Sequence, residues 1–227
     1  MIPLRSESRR RGFPLATFVL VAGCAAGFVY ELRLGAELGS FLAAWAFVPE
    51  RLLGPGIPSP ARVVELGRAL TSLFLHGGRL HLGGNLLFLW VFGDAVEGRL
   101  GPLRFLTFYL GCGLVAALAH AVADPHSTLP AIGASGAIAG ILGTYLVLFP
   151  RARVQTLIFL GIFVHLARIP ALILLPIWFL LQLFSGLASL AATPTAGAAG
   201  AAGGVAWFAH VGGFLAGPIV YFLVRRR

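Results

Sequence analysis

The chain has 227 residues, of which 58% are hydrophobic and 11% are charged, and its formal net charge is +9. Apolar stretches close to the ~20 residues that cross a bilayer recur along its length, which excludes an ordinary water-soluble domain and indicates an all-α, polytopic membrane protein. The arginines cluster at both chain ends rather than in a basic groove with interleaved aromatic residues, so no nucleic acid partner is expected and membrane orientation explains the charge better.

The chain begins with a basic segment, residues 1–12, followed by an apolar run from Phe13 to Tyr30. This run of 18 residues is long for the apolar part of a signal peptide, and Glu31-Leu32-Arg33 after it is no small-residue cleavage site. We therefore expect a retained first membrane span. The segment 31–79 mixes aromatic residues with Pro, Gly and paired charges, which predicts an amphipathic first loop lying in the membrane interface.

Further apolar runs predict five more spans, at residues 80–94, 103–123, 134–150, 169–189 and 204–224. The expected architecture is a six-helix membrane domain over residues 13–224 with a basic C-terminus at 225–227. The apolar segment 154–166 has 13 residues, too few to cross a bilayer comfortably, and is predicted to be interfacial or re-entrant, with a seventh span as the alternative. Cys24 and Cys112 both fall in apolar runs, which predicts buried thiols rather than a disulfide.

Six spans distribute the charges unequally between the two sides of the membrane. The side with both termini holds 12 arginines against three acidic residues, whereas the charges on the other side balance. The positive-inside rule then predicts cytoplasmic termini. The expected location is a bacterial inner membrane. The same threading brings four polar residues of three helices to one depth near the outer face (His81, Asn85, Ser135 and His210). A seventh span would carry His210 away from Ser135.

Ser135 and His210 are the candidate catalytic residues. Ser135 lies between glycines at the start of a predicted span, where a substrate can approach closely and free backbone N–H groups favour an oxyanion. His210 is the candidate general base because imidazole exchanges protons near neutral pH. No acidic residue lies near either in the sequence, so the hypothesis is a Ser-His dyad. The alternatives are a serine that caps a helix and a histidine hydrogen-bonded between helices.

Small residues accompany both candidates. They predict close packing of the fourth and sixth spans, which would bring the base to the nucleophile, and they are Gly133, Gly136, Gly140, Gly213 and Gly217.

The second span begins with a histidine-rich segment that contains His76, His81 and Asn85. His81 and Asn85 are four residues apart, which predicts one helix face from which both donate hydrogen bonds to an oxyanion, together with the backbone N–H of Ser135. His76 is predicted to support the site and, with Arg79 and His81, to line a route for water from outside. Paired histidines can bind zinc, but the adjacent Glu and a third acidic ligand are missing here, so no metal is expected.

These motifs together resemble the rhomboid family of intramembrane serine proteases. The resemblance rests on Thr-Ser-Leu-Phe-Leu-His at 71–76, His81 with Asn85, Glu-Gly-Arg-Leu-Gly at 97–101, Gly-Ala-Ser-Gly at 133–136 and Ala-His-Val-Gly-Gly at 209–213. It implies that Ser135 and His210 are the catalytic dyad and that His81 and Asn85 stabilise the oxyanion. It also implies six helices, no cofactor, and cleavage of single-span transmembrane proteins within the lipid bilayer.

Three features qualify or extend the resemblance. Many members carry an aromatic residue stacked on the histidine where this chain has Ala139, and an aromatic residue before the first-loop arginine where it has Gly67 before Arg68. The Ala- and Gly-rich segment 191–204 is predicted to be a mobile cap that moves to admit substrate.

Two other function classes stay open at this point. One is a catalytically silent rhomboid-like protein that binds membrane clients. The other is a small transporter or channel, which would explain glycine-rich helices but not the gathering of polar groups near one face.

Overall fold

The computed structural model describes residues 1–8, 12–161, 163–191 and 206–225. Most of these residues are helical, and the predicted cap at 191–204 lies outside them apart from Ala191. The helices are α1 (Leu15–Leu34), α2 (Leu38–Trp45), α3 (Pro49–Leu53), α4 (Ser59–Thr71), α5 (Arg79–Leu100), α6 (Pro102–Ala123), α7 (Ser135–Leu148), α8 (Ala171–Ala191) and α9 (Trp207–Val224), and the strands are β1 (Ile2–Ser6), β2 (Arg153–Leu160) and β3 (Phe163–Pro170).

Long apolar helices confirm the prediction of an integral membrane protein. Within the described ranges, four segments are long and apolar enough to cross a bilayer, namely Leu15–Trp45, Pro102–Ala123, Ala171–Ala188 and Trp207–Val224. Each predicted span contains one helix, but α7 has only 14 residues. Its length is about 21 Å, short of a hydrocarbon core of about 30 Å. Six crossings therefore stay a prediction.

A three-stranded antiparallel sheet interrupts the helical architecture, in the order β1-β2-β3. Val154 lies opposite Ile169 in the hairpin of β2 and β3, and Ile2 of β1 lies opposite Leu157. The expectation of an entirely helical chain is therefore wrong, while the interfacial or re-entrant location of residues 154–166 stays a prediction. β-Branched residues at every second position favour a strand with one buried face, and Val154 and Thr156 are indeed buried.

The first loop folds into the short helices α2, α3 and α4. A hydrogen bond of Arg68 connects α4 to α2. The Arg68 guanidinium donates to the Ala44 carbonyl through Nε and to the Glu65 carboxylate through Nη1, each at 2.8 Å. The buried Glu65 carboxylate also accepts the Val48 N–H at 2.6 Å. This buried carboxylate, rather than an aromatic residue at position 67, holds the loop together.

Glycines set the distance between the central helices α7 and α9. A Cβ atom added at residue 217 would lie 2.0 Å from the backbone oxygen of Gly140, and one added at residue 213 would lie 2.1 Å from that of Gly136. Both separations are far below van der Waals contact, so the two backbones touch where larger side chains would separate them. Cys112 of α6 packs on Gly140 from the other side, and both cysteines are buried and free, as predicted.

Glu97 of α5 closes the first turn of α1. Its buried carboxylate accepts the backbone N–H of Ala16 at 3.2 Å and both the N–H and the hydroxyl of Thr17 at 2.8 Å. These N–H groups have no acceptor within their own helix, and a negative charge at a helix N-terminus is favourable. The contact ties α1 to α5.

Glu97→Ala is expected to lower the free energy of unfolding by about 2 to 3 kcal/mol, because it leaves buried donors of α1 without an acceptor. Thermal unfolding in detergent, followed by circular dichroism, measures the loss. Glu37→Ala is the matched control, since Glu37 is exposed and its replacement should change stability by no more than about 0.5 kcal/mol. Equal stability of the two variants would contradict a capping role for Glu97.

Candidate active site

Ser135 is the first residue of α7 and follows a sharply turned loop. Gly133 adopts a φ of +120°, a conformation that L side chains rarely accept. The loop is bonded to the first-loop region at two points, because the Gly133 N–H donates to the Ser72 carbonyl at 2.9 Å and the Ala131 N–H donates to the Phe47 carbonyl at 2.8 Å. The start of α7 is therefore fixed by chain segments far from it in the sequence.

His210 lies in the first turn of α9 and faces Ser135. Its Nε2 is 2.7 Å from the Ser135 hydroxyl oxygen, and the residue is only 8% exposed. The close packing of α7 on α9 places this pair, since both residues lie near the same ends of the two helices. A hydroxyl within hydrogen-bond distance of an imidazole nitrogen can transfer its proton to that nitrogen as it attacks a carbonyl.

The helix α8 holds the other side of the His210 ring. Gln182 Oε1 lies 2.6 Å from His210 Nδ1, and the Trp178 ring lies 6.0 Å from the imidazole at an angle of 36°. Trp207 contacts the same ring edge-on at 6.2 Å. These contacts restrain the His210 ring, as an aromatic residue at position 139 would; this chain has Ala139 there. Gln182 was not predicted as a site residue, although Gln182 is the only amide side chain in the apolar run 169–189.

His81 and Asn85 of α5 converge on Gly133, two residues before Ser135. A Cβ atom at residue 133 would lie 2.6 Å from His81 Nε2 and 3.4 Å from Asn85 Nδ2. The Gly77 N–H donates to His81 Nδ1 at 3.4 Å, so the proton of the neutral ring lies on Nε2, which faces the site. Asn85 is 7% exposed, and its Nδ2 has no hydrogen-bond partner among the described residues. Two N–H donors are thus directed at the space beside the serine.

His76 is buried, unlike the exposed Arg79 and His81, so its predicted part in a route for water stays a prediction. The residue is 3% exposed, because the Glu31 carboxylate of α1 accepts its backbone N–H at 3.1 Å and draws this segment inward. Its ring packs edge-on against His81, with centroids 5.3 Å apart. Burial, aided by the neighbouring His81, lowers the pKa of His76 to about 4, so the ring is neutral at physiological pH. Arg79 and His81 remain exposed.

A cavity of about 690 Å³ opens onto the serine and the histidine. Its walls come from α5, α7, α8 and the start of α9, and its lining is mainly apolar, with Leu80, Phe88, Ile132, Ile138, Trp178 and Trp207. His81, Asn85, Ser135 and His210 all reach its surface. The site thus combines a roomy apolar cleft with a few convergent polar groups, the usual form of a ligand-binding or active site.

The apolar helices of this chain carry a paired serine and histidine beside two convergent N–H donors, an arrangement that can support acyl transfer to a serine. The Rhomboid domain model matches residues 64–227, and the chain belongs to the Rhomboid family.

Three proteins with rhomboid names are similar to this chain in sequence. The chain is 36% identical to the rhomboid protease GluP of Bacillus subtilis over 152 residues, which are 63% of this chain and 28% of that protein. It is 36% identical to RHOMBOID-like protein 5 of Arabidopsis thaliana over 105 residues, 42% of this chain and 34% of that protein. It is 39% identical to the putative rhomboid protease YdcA of B. subtilis over 82 residues, 36% of this chain and 41% of that protein. Each match covers less than half of the relative's own length.

Proposed function

We propose that the protein is an intramembrane serine endopeptidase that cleaves transmembrane proteins with Ser135 as nucleophile and His210 as general base. The observation that carries the proposal is the 2.7 Å separation between His210 Nε2 and the Ser135 hydroxyl at the mouth of an apolar cleft. Two relatives named as rhomboid proteases, GluP and YdcA, support it. No cofactor enters the reaction.

Acylation begins when the Ser135 oxygen attacks the carbonyl carbon of the scissile peptide bond and its proton passes to His210 Nε2. The carbonyl oxygen becomes an oxyanion, which receives hydrogen bonds from His81 Nε2, Asn85 Nδ2 and the Ser135 N–H. His210 then returns the proton to the leaving amine as the C–N bond breaks. A water molecule hydrolyses the acyl-enzyme by the same two proton transfers.

The substrate proposed for this cleft is a single transmembrane helix that unwinds near the scissile bond. A peptide carbonyl within a helix is hydrogen-bonded and shielded by side chains, so it must leave the helix before a nucleophile can reach it. Glycine and other poor helix formers lower the cost of unwinding. The mainly apolar lining of the cleft, with Phe88, Ile138 and Trp178, would accept such a segment from the lipid.

We also propose that both termini are cytoplasmic and that the cleft opens near the outer face, with residues 13–224 as the membrane domain. The charge asymmetry supports this orientation. So does the pairing of β1 with β2, because it puts the N-terminal segment and the loop after α7 on one side. Ser135 lies at the opposite end of α7 from that loop.

The test uses a fluorophosphonate probe, which needs no knowledge of the substrate. An activated serine attacks its phosphorus, fluoride leaves, and the serine proton passes to the base. The purified wild-type protein in detergent is expected to be labelled, and labelling should be lost in Ser135→Ala and His210→Ala. Ser40→Ala is the control, because Ser40 is exposed and far along the chain from the dyad.

Absence of labelling in the folded wild type would overturn the proposal. The silent, client-binding alternative would then account better for the chain, since binding of membrane clients does not need an activated Ser135. Labelling that survives in Ser135→Ala would also contradict it, because the reactive serine would lie elsewhere.

A further inference from the structure

Gln182 lies on the far side of the His210 ring from Ser135. The Ser135 hydroxyl oxygen is 2.7 Å from Nε2, and Gln182 Oε1 is 2.6 Å from Nδ1. The three side chains come from α7, α8 and α9, and Gln182 is itself half-buried. Both ring nitrogens of the histidine therefore have a partner, and the two partners lie on different helices.

The chemical nature of the Gln182 contact determines which nitrogen of His210 carries the proton. A side-chain amide oxygen can only accept a hydrogen bond, so Nδ1 must be the donor. In a neutral imidazole the other nitrogen is then unprotonated, and its lone pair faces the Ser135 hydroxyl. With Oε1 toward the ring, the opposite tautomer would place two lone pairs against each other at Nδ1 and leave Nε2 unable to accept the serine proton.

We propose that Gln182 is a positioning residue that fixes His210 in the tautomer protonated at Nδ1 and completes a Ser135–His210–Gln182 triad. This inference rests on the proposed function, since it assigns a partner to the base of that reaction. Gln182 lines the same cleft, but in this role it contacts the His210 ring and not the reacting atoms. It acts through His210.

The same contact becomes stronger during the reaction. When Nε2 takes the serine proton, the ring becomes an imidazolium and its Nδ1–H bond to Gln182 becomes a charge-assisted hydrogen bond. An interaction that strengthens in the transition state accelerates the chemical step. A neutral amide provides it without the cost of burying a carboxylate beside the lipid. Amide side chains orient catalytic histidines in other hydrolases as well.

Position 182 suits this role because of its place on α8. Trp178 lies one helical turn earlier, so the two side chains share a face of the helix, and both contact the His210 ring. The indole restrains the ring from its face and the amide restrains it in its plane. Ala139, which is buried and small, provides neither restraint.

The experiment measures the second-order rate of fluorophosphonate labelling against pH for the full-length protein and three variants. Gln182→Met keeps the length of the side chain but removes the acceptor. Gln182→Glu keeps an acceptor and adds a negative charge. Ser185→Ala is the matched control, because it removes a polar group of α8 within one turn of Gln182.

Gln182→Met is expected to label about 10- to 100-fold more slowly than the wild type at every pH, a smaller loss than removal of the base itself, which contributes about 100- to 10,000-fold. Gln182→Glu is expected to approach the wild-type rate at high pH, with the midpoint of its profile displaced upward by about one unit, because a carboxylate stabilises the imidazolium. His81 of α5 and His120 of α6 are the other titratable groups whose ionisation would act on His210. Both are the same in all variants, so the displacement reports on position 182.

A second measurement examines the tautomer in the wild type without any change to α8. In protein labelled with ¹⁵N-histidine, the signal that disappears in His210→Ala is expected to show a protonated Nδ1 and an unprotonated Nε2. The mixed or opposite tautomer would overturn the proposal. So would wild-type labelling rates in Gln182→Met, or equal impairment of Gln182→Met and Gln182→Glu at high pH. Wild-type protein that is folded but never labelled would instead refute the proposed function.

Discussion

Gly217→Ala is expected to slow fluorophosphonate labelling of Ser135 about 100-fold, although residue 217 lies two helical turns beyond His210. The added Cβ would lie 2.0 Å from the backbone oxygen of Gly140. A backbone atom cannot yield as a flexible side chain would, so α7 and α9 must separate by an ångström or more. Misplacement of reacting groups by about 1 Å can cost a factor of about 100 in rate.

The control for this variant is Gly83→Ala on α5. A Cβ atom there would meet nothing within 4 Å. The same substitution therefore replaces a destabilising helical glycine with alanine and causes no clash. It should label within about twofold of the wild type and be slightly more stable, by roughly 0.5 to 1 kcal/mol. Labelling rates and thermal unfolding of both variants in detergent make the comparison. Wild-type labelling by Gly217→Ala would show that the helix contact does not place the dyad.

The sequence identified the candidate site more completely than it identified the supports of that site. Ser135, His210, His81 and Asn85 could be selected because polar residues are rare in apolar runs and each lies in a short motif. Their separations could not be read from the sequence, since they depend on the backbone contact of α7 with α9. Gln182 was missed because it has no motif and lies 28 residues from His210.

Two features that the sequence did not predict, the strands at 153–170 and the burial of His76, depend on tertiary contacts. Residues 154–166 are apolar enough for a membrane-associated segment, and their pairing with β1 depends on a strand about 150 residues earlier in the chain. His76 is polar and packs against the exposed His81, yet it is buried. The Glu31 carboxylate of α1 accepts its backbone N–H and draws it toward the helices. In both cases a distant segment of the chain contributes a contact that no local pattern contains.

Asn85→Ala is expected to lower the maximal rate of Ser135 phosphonylation about 100- to 1,000-fold while changing probe affinity by no more than a few-fold. Removal of one preorganised oxyanion donor typically costs this much, because the donor acts on charge that develops only in the transition state. Asn85 fits this role because Nδ2 is buried beside Gly133 and has no competing partner among the described residues.

Two further variants test whether Asn85 acts by donating a hydrogen bond. Asn85→Asp keeps the shape but replaces the N–H donor with a carboxylate that repels an oxyanion, so its loss of rate should be at least as large as that of Asn85→Ala. Gln155→Ala, which removes an amide from β2 at the opposite end of α7, should label like the wild type. The maximal labelling rate and the half-saturating probe concentration are measured for each variant. A loss confined to probe affinity would make Asn85 a binding residue. Full activity in Asn85→Asp would contradict donation from Nδ2 to the oxyanion, because that variant replaces the N–H donor with a carboxylate.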